Sequence, residues 1–145
     1  MSSRGFTLIE LAIVVMVIGI LAVIAIPNFG KVTQQAKEAA IKSNCHTIQI
    51  AAEDFAVQNN GLYAENVDAD VTPAGSTLID LLPSGERLMN PFTQSATEPV
   101  DGAVSDPGEV GYAPVKLNNS INIGYTITAI GRKPGTTIFA LMIGQ

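Results

Sequence analysis

The 145 residues include one cysteine, one histidine and no tryptophan. A lone thiol, Cys45, cannot close an internal disulfide. A lone histidine, His46, has no Asp, Glu or second His around it at ligand spacing, so it reads as a surface or boundary residue. Cys45 and His46 do not make a nucleophile–base pair, because neighbours on a helix point about 100° apart. No Gly-rich phosphate loop, G-x-S-x-G or H-x-x-x-H occurs. An enzyme is not expected, and neither is a cofactor or a resident metal. Basic runs are missing too. The net charge is −5 and no basic–aromatic cluster follows a phosphate backbone, so nucleic acid is not an expected partner.

What is present in quantity is apolar sequence, unevenly spread. From Phe6 to Ile26 only Thr7 and Glu10 are polar. That is the length of about 20 residues that a membrane-spanning helix needs. A secretory signal has a shorter apolar core and a small-residue cleavage site after it. Here the run leads into Pro27-Asn28-Phe29-Gly30, so removal of the whole segment is not expected. A plain membrane anchor explains every residue except Glu10. An isolated carboxylate in such a span is costly and calls for a partner. Two readings stay open. Glu10, near the start of the run, snorkels to the interface, or another chain supplies an opposite charge. A free α-amino group at Phe6 is a candidate, available only if the chain is cut after Gly5.

Gly5-Phe6-Thr7-Leu8-Ile9-Glu10, followed by about twenty apolar residues, resembles the type IV prepilin signature. Type IV pilins and the pseudopilins of type II secretion share that signature. The resemblance implies a leader over 1–5, including Arg4. A prepilin peptidase of the inner membrane would cut between Gly5 and Phe6 and methylate the new amino group of Phe6. Glu10 would then neutralise the Phe6 amine of a neighbouring subunit during assembly. The stretch from Gly19 to Pro27 would melt as subunits pack into a filament; read without the resemblance, it predicts a kinked anchor. Arg4 on one side and Lys31 and Lys37 on the other do not favour a cytoplasmic N-terminus by the positive-inside count. The expected orientation follows the resemblance.

The remaining chain reads as an α+β head. Ile41, Cys45, Ile48, Ala52 and Phe55 recur at spacings of 4, 3, 4 and 3, one stripe of an amphipathic helix over 31–58. Cys45 within it is expected as a small buried hydrophobe. Asn59-Asn60-Gly61 ends that helix. Leu78 to Pro83 predicts a short helical turn, and 96–109 a surface loop. Strands are predicted at Val110–Leu117, with Asn118-Asn119 as its turn, at Ile121–Ile130 and at Thr137–Ile143. The expected architecture is a long N-terminal helix, apolar in its first half and amphipathic in its second, on an antiparallel sheet of about three strands. The expected segments are leader 1–5, transmembrane or filament-core helix 6–30, head helix 31–58 and head 59–145, with a variable loop at 59–109 and the sheet at 110–143.

Two acidic groups, Glu65/Asp68/Asp70 and Asp101/Asp106/Glu109, read as solvated loops. The C-terminal cysteine pair of many type IVa pilins is absent, and so is the acidic C-terminal loop that binds calcium in major pseudopilins. The leading expectation is a type IV pilus subunit, a homo-oligomer in a helical filament that supports adhesion or motility. It would be held in the inner membrane as a precursor, handled by the peptidase and the pilus assembly machinery there, and extracellular once assembled. The alternatives are a periplasmic pseudopilin of type II secretion and a single-span anchored binding domain that does not polymerise.

Overall fold

A computed structural model describes residues 5–118 and 120–144. Arg4 and the rest of the leader, Asn119 in the predicted turn, and Gln145 lie outside the described residues. The chain divides into two units, Met1–Gln35 and Ala36–Gln145. One helix, α1 (Leu8–Gln58), contributes to both, and its assignment is continuous through Gly19 and Pro27.

In the first unit α1 is apolar on every side from Leu11 to Ile26. Leu8, Ile9, Leu11, Ile13 and each larger apolar residue up to Ile26 are exposed, apart from the half-buried Ala22. Such a helix has no polar face to turn to water.

In the second unit the same helix is one-sided. Ile41, Cys45, Ile48, Ala52 and Phe55, the predicted stripe, are all 0 % exposed. Each large aliphatic or aromatic side chain buried this way contributes about 1.5–3 kcal/mol. Burial also pushes the Cys45 thiol up, to about 12. The helix ends as expected. Gly61 N–H donates back to Ala56 O at 2.7 Å, with Asn60 at φ 57° and Gly61 at φ 84°. That left-handed pair closes the last turn.

The stripe packs on the sheet. In chain order the strands are β1 (Leu88–Met89), β2 (Ala96–Glu98), β3 (Val100–Asp101), β4 (Val110–Leu117), β5 (Ile121–Ile130) and β6 (Thr137–Ile143). β1 and β2 pair antiparallel. The main sheet has order β3-β4-β5-β6, with β3 parallel to β4 and the other pairs antiparallel. The three predicted strands appear with the predicted bounds. The surface loop expected over 96–109 is corrected, because it contains β2 and β3. Their two or three residues are too short for alternation to show, and Pro99 lies between them. The helical turn expected at 78–83 is corrected as well. Residues 78–81 form a turn, and a 3-10 helix starts at Pro83 and runs to Gly85. Proline opens that element rather than ending one, as it can at a first helical position.

Alternation along β5 holds only in part. Tyr125, Ile127 and Ala129 are 0 % exposed, but Ile121 is 46 % exposed. Two of the three tyrosines, Tyr63 and Tyr125, reach Glu53 of the helix. Tyr125 Oη donates to Glu53 Oε1 at 2.8 Å and Tyr63 Oη to Glu53 Oε2 at 3.1 Å. Tyr112 stacks on Tyr125, with centroids 5.8 Å apart, and its Oη donates to Ala64 O at 3.0 Å. Burial raises the Tyr112 and Tyr125 phenols well above their ordinary range.

Candidate functional site

The site begins where α1 begins. Thr7 directly precedes the helix, and Glu10 is in its first turn. Thr7 N–H and Thr7 Oγ1 both donate to Glu10 Oε2 at 2.9 Å. Glu10 N–H donates to Thr7 Oγ1 at 3.3 Å, and Leu11 N–H to Thr7 O at 3.2 Å. This is a capping box, in which a threonine and a glutamate three residues on each satisfy the other's backbone N–H. A carboxylate in the first turn also faces the positive end of the helix dipole. Glu10 therefore has a role within its own chain. Thr7-x-x-Glu10 is a visible sequence signal for that role, and the expectations above leave it out.

Phe6, four residues upstream of Glu10, is 80 % exposed. Phe6 and the Glu10 carboxylate thus both lie at the start of the apolar run. Within this chain the carboxylate answers Thr7. A Cβ added at Gly19 would meet nothing within 4 Å. Past Pro27, which has no N–H to donate, two side chains bond back along the helix. Asn28 Nδ2 donates to Ile24 O at 3.0 Å and Thr33 Oγ1 to Phe29 O at 2.9 Å. Among the described residues α1 is the one helix long and apolar enough to cross a membrane.

In the second unit the described acids serve the fold. The acids sit in structural contacts. Lys116 Nζ meets Glu65 Oε1 at 2.5 Å, Arg87 pairs with Asp68, and Asp101 Oδ1 accepts from Val67 N–H at 2.9 Å. The hydrogen bond from Lys116 holds Glu65 below its ordinary range. Among the described residues no three His, Cys, Asp or Glu side chains come together as a metal would need. His46 is exposed and meets the Phe139 ring edge-on at 5.8 Å.

Comparison with known proteins begins in the same region. A family described as "Prokaryotic N-terminal methylation motif" matches residues 1–26. The type IV major pilin protein PilA of Myxococcus xanthus is 53 % identical over 53 residues, 37 % of this chain and 24 % of that protein. The type IV narrow pilus major component PilA5 of Thermus thermophilus is 44 % identical over 62 residues, 43 % of this chain and 53 % of that protein. This chain thus spans about a quarter and about half of those two relatives. The type IV major fimbrial protein FimA of Dichelobacter nodosus is 30 % identical over 135 residues, covering 93 % of this chain and 76 % of that protein. The chain belongs to the type IV pilin family. No solved structure matches it.

Proposed function

We propose that this pilin is a structural subunit of a type IV pilus, held together by its apolar helix and not by its head. One observation carries the reading: apart from Glu10, residues 8–26 of α1 are apolar, and all but the half-buried Ala22 are exposed. A lipid bilayer is one solvent for such a helix, and a bundle of identical helices is the other. The three relatives described above are major pilus or fimbrial subunits, which favours a pilus over a secretion pseudopilus.

The precursor resides in the inner membrane. The prepilin peptidase cuts between Gly5 and Phe6 and methylates the Phe6 amine. In the filament Glu10 meets the Phe6 amine of a neighbour. An unpaired carboxylate costs several kcal/mol in a low-dielectric bundle, so the pairing selects one axial register. The segment from Gly19 to Pro27 gives way as helices pack. The assembled filament is extracellular and supports adhesion or motility.

Mass spectrometry of filaments sheared from the cell surface tests this. The expected species is an abundant chain that starts at methylated Phe6. A processed chain that stays with the envelope and is missing from sheared filaments moves the protein to the pseudopilins. An uncut start removes the prepilin reading altogether.

A further inference from the structure

Of the nine asparagines in the chain, one alone, Asn118, is followed two positions later by a hydroxyl residue, Ser120, with no proline between. That is the N-x-S acceptor pattern of an N-linked glycan, which works only where the chain displays it on an exposed surface. The fold displays it. β4 ends at Leu117 and β5 starts at Ile121, so Asn118 and Ser120 belong to the loop at the hairpin tip. Both are exposed. Asn118 has φ 50°, a left-handed conformation that asparagine adopts more readily than most residues. Ser120 N–H donates to Leu117 O at 3.1 Å, which closes the turn, and Ser120 Oγ to Asn118 O at 3.4 Å.

The side chain sets Asn118 apart as well. The amides of Asn28, Asn44, Asn59, Asn66, Asn90 and Asn122 are each hydrogen-bonded into the fold. The Asn118 amide makes no hydrogen bond among the described residues, so chemistry at its Nδ2 dismantles nothing in them. Beside it stand two aliphatic side chains. Leu117 and Ile121 are cross-strand partners at the base of the tip, and they are 48 % and 46 % exposed. They form an apolar ledge, and the C–H face of a sugar laid on it takes part of that surface out of water.

We propose that Asn118 is an N-glycosylation acceptor, with Ser120 as the hydroxyl by which a glycosyltransferase recognises it. The donor is a glycosyl diphosphate. Asn118 Nδ2 forms a bond to the anomeric carbon of the sugar. The bond from that carbon to the diphosphate oxygen breaks, and the diphosphate leaves with its electron pair. One amide proton passes to a base of the transferase. The product is a bulky, hydrophilic cover over the β4–β5 tip. The inference rests on the proposed export of the head and does not require the filament.

The test digests sheared filaments and the cell envelope separately with trypsin and sequences peptide 117–132 by mass spectrometry, with fragmentation that keeps glycans attached. The expected peptide carries an added mass, yields sugar fragment ions and bears the modification on Asn118. Asn118→Gln and Ser120→Ala should each lose that mass completely, and Ser120→Thr should keep it. The same digests show where the chain starts, which separates the two readings. A glycosylated peptide found in the envelope alone removes the pilus and supports the site. Methylated Phe6 in filaments with a bare peptide 117–132 in both fractions keeps the pilus and overturns the site. Sugar on any other residue of that peptide, or an added mass that survives Ser120→Ala, overturns it too.

Discussion

The two halves of α1 share a backbone and treat apolar surface in opposite ways. Residues 41–56 put a single stripe under the sheet and leave Lys42, His46, Ile50 and Asp54 outside. Residues 8–26 have no inside. The first arrangement is satisfied by one chain, and the second only by a lipid or by other chains. Both halves are helical. What separates them is the presence of a stripe, and that decides whether a segment folds its own domain or joins something larger.

The largest effect should therefore follow a cavity cut under the stripe. Phe55→Ala should destabilise the head by about 3–5 kcal/mol, read as a lower denaturation midpoint in micelles. Ile18→Ala, an equally apolar truncation in the first half, should leave that midpoint unchanged and lower the yield of sheared filaments. If Ile18→Ala shifts the midpoint as far as Phe55→Ala, the contrast between the halves is wrong.

Glu10 sharpens the comparison, because its two roles separate chemically. Thr7→Ala removes the cap and keeps the charge, and should cost about 0.5–2 kcal/mol of helix stability. Glu10→Gln removes the charge and keeps a side chain that can complete the box. Filament yield should collapse in Glu10→Gln and fall only modestly in Thr7→Ala, as counted by electron microscopy. Normal filaments from Glu10→Gln would leave capping as the whole purpose of that carboxylate.

Periodicity made much of this fold legible. The spacing of Ile41, Cys45, Ile48, Ala52 and Phe55 gave the buried stripe, alternation gave β5 and β6, and the Asn118-Asn119 turn marked the end of β4. Short elements escaped. β1, β2 and β3 hold two or three residues each and take their pairing from distant partners, such as Val100 with Gly111, which no local pattern encodes. The polar centre was equally hidden. Glu98 falls within the expected surface loop, and only the fold brings the Asn90 amide and Val110 N–H to its carboxyl, at 3.2 and 2.7 Å. At the candidate site Phe6 and Glu10 stood out because charge in an apolar run is costly. The cap was just as visible in Thr7-x-x-Glu10 and was overshadowed by that more unusual feature.

A smaller effect concerns the thiol inside the stripe. Burial raises Cys45 to about 12, so at neutral pH the thiolate needed for alkylation is scarce. Iodoacetamide should label the native head far more slowly than the denatured chain. Fast labelling in the native state would mean that the second half of α1 lifts from the sheet, and would blur the distinction between the halves.

The smallest effect should come from the clasp that ties the loop after α1 to β4. Lys116 and Glu65 are 32 % and 50 % exposed at their side chains, and such exposed pairs contribute about 0.2–1 kcal/mol. Glu65 is held below its ordinary carboxylate range by Lys116. A depressed acid stabilises the fold above its unfolded value, about 4.3 for glutamate, and that contribution is lost as pH falls through the lower folded value. The Glu65 carboxyl carbon should thus titrate below about pH 4.3 in the wild type and move up toward that value in Lys116→Met. Head stability at neutral pH should drop by no more than the range given for the pair. A drop comparable to Phe55→Ala would place the loop, and not the stripe, at the centre of what holds the second half of α1 to its own chain.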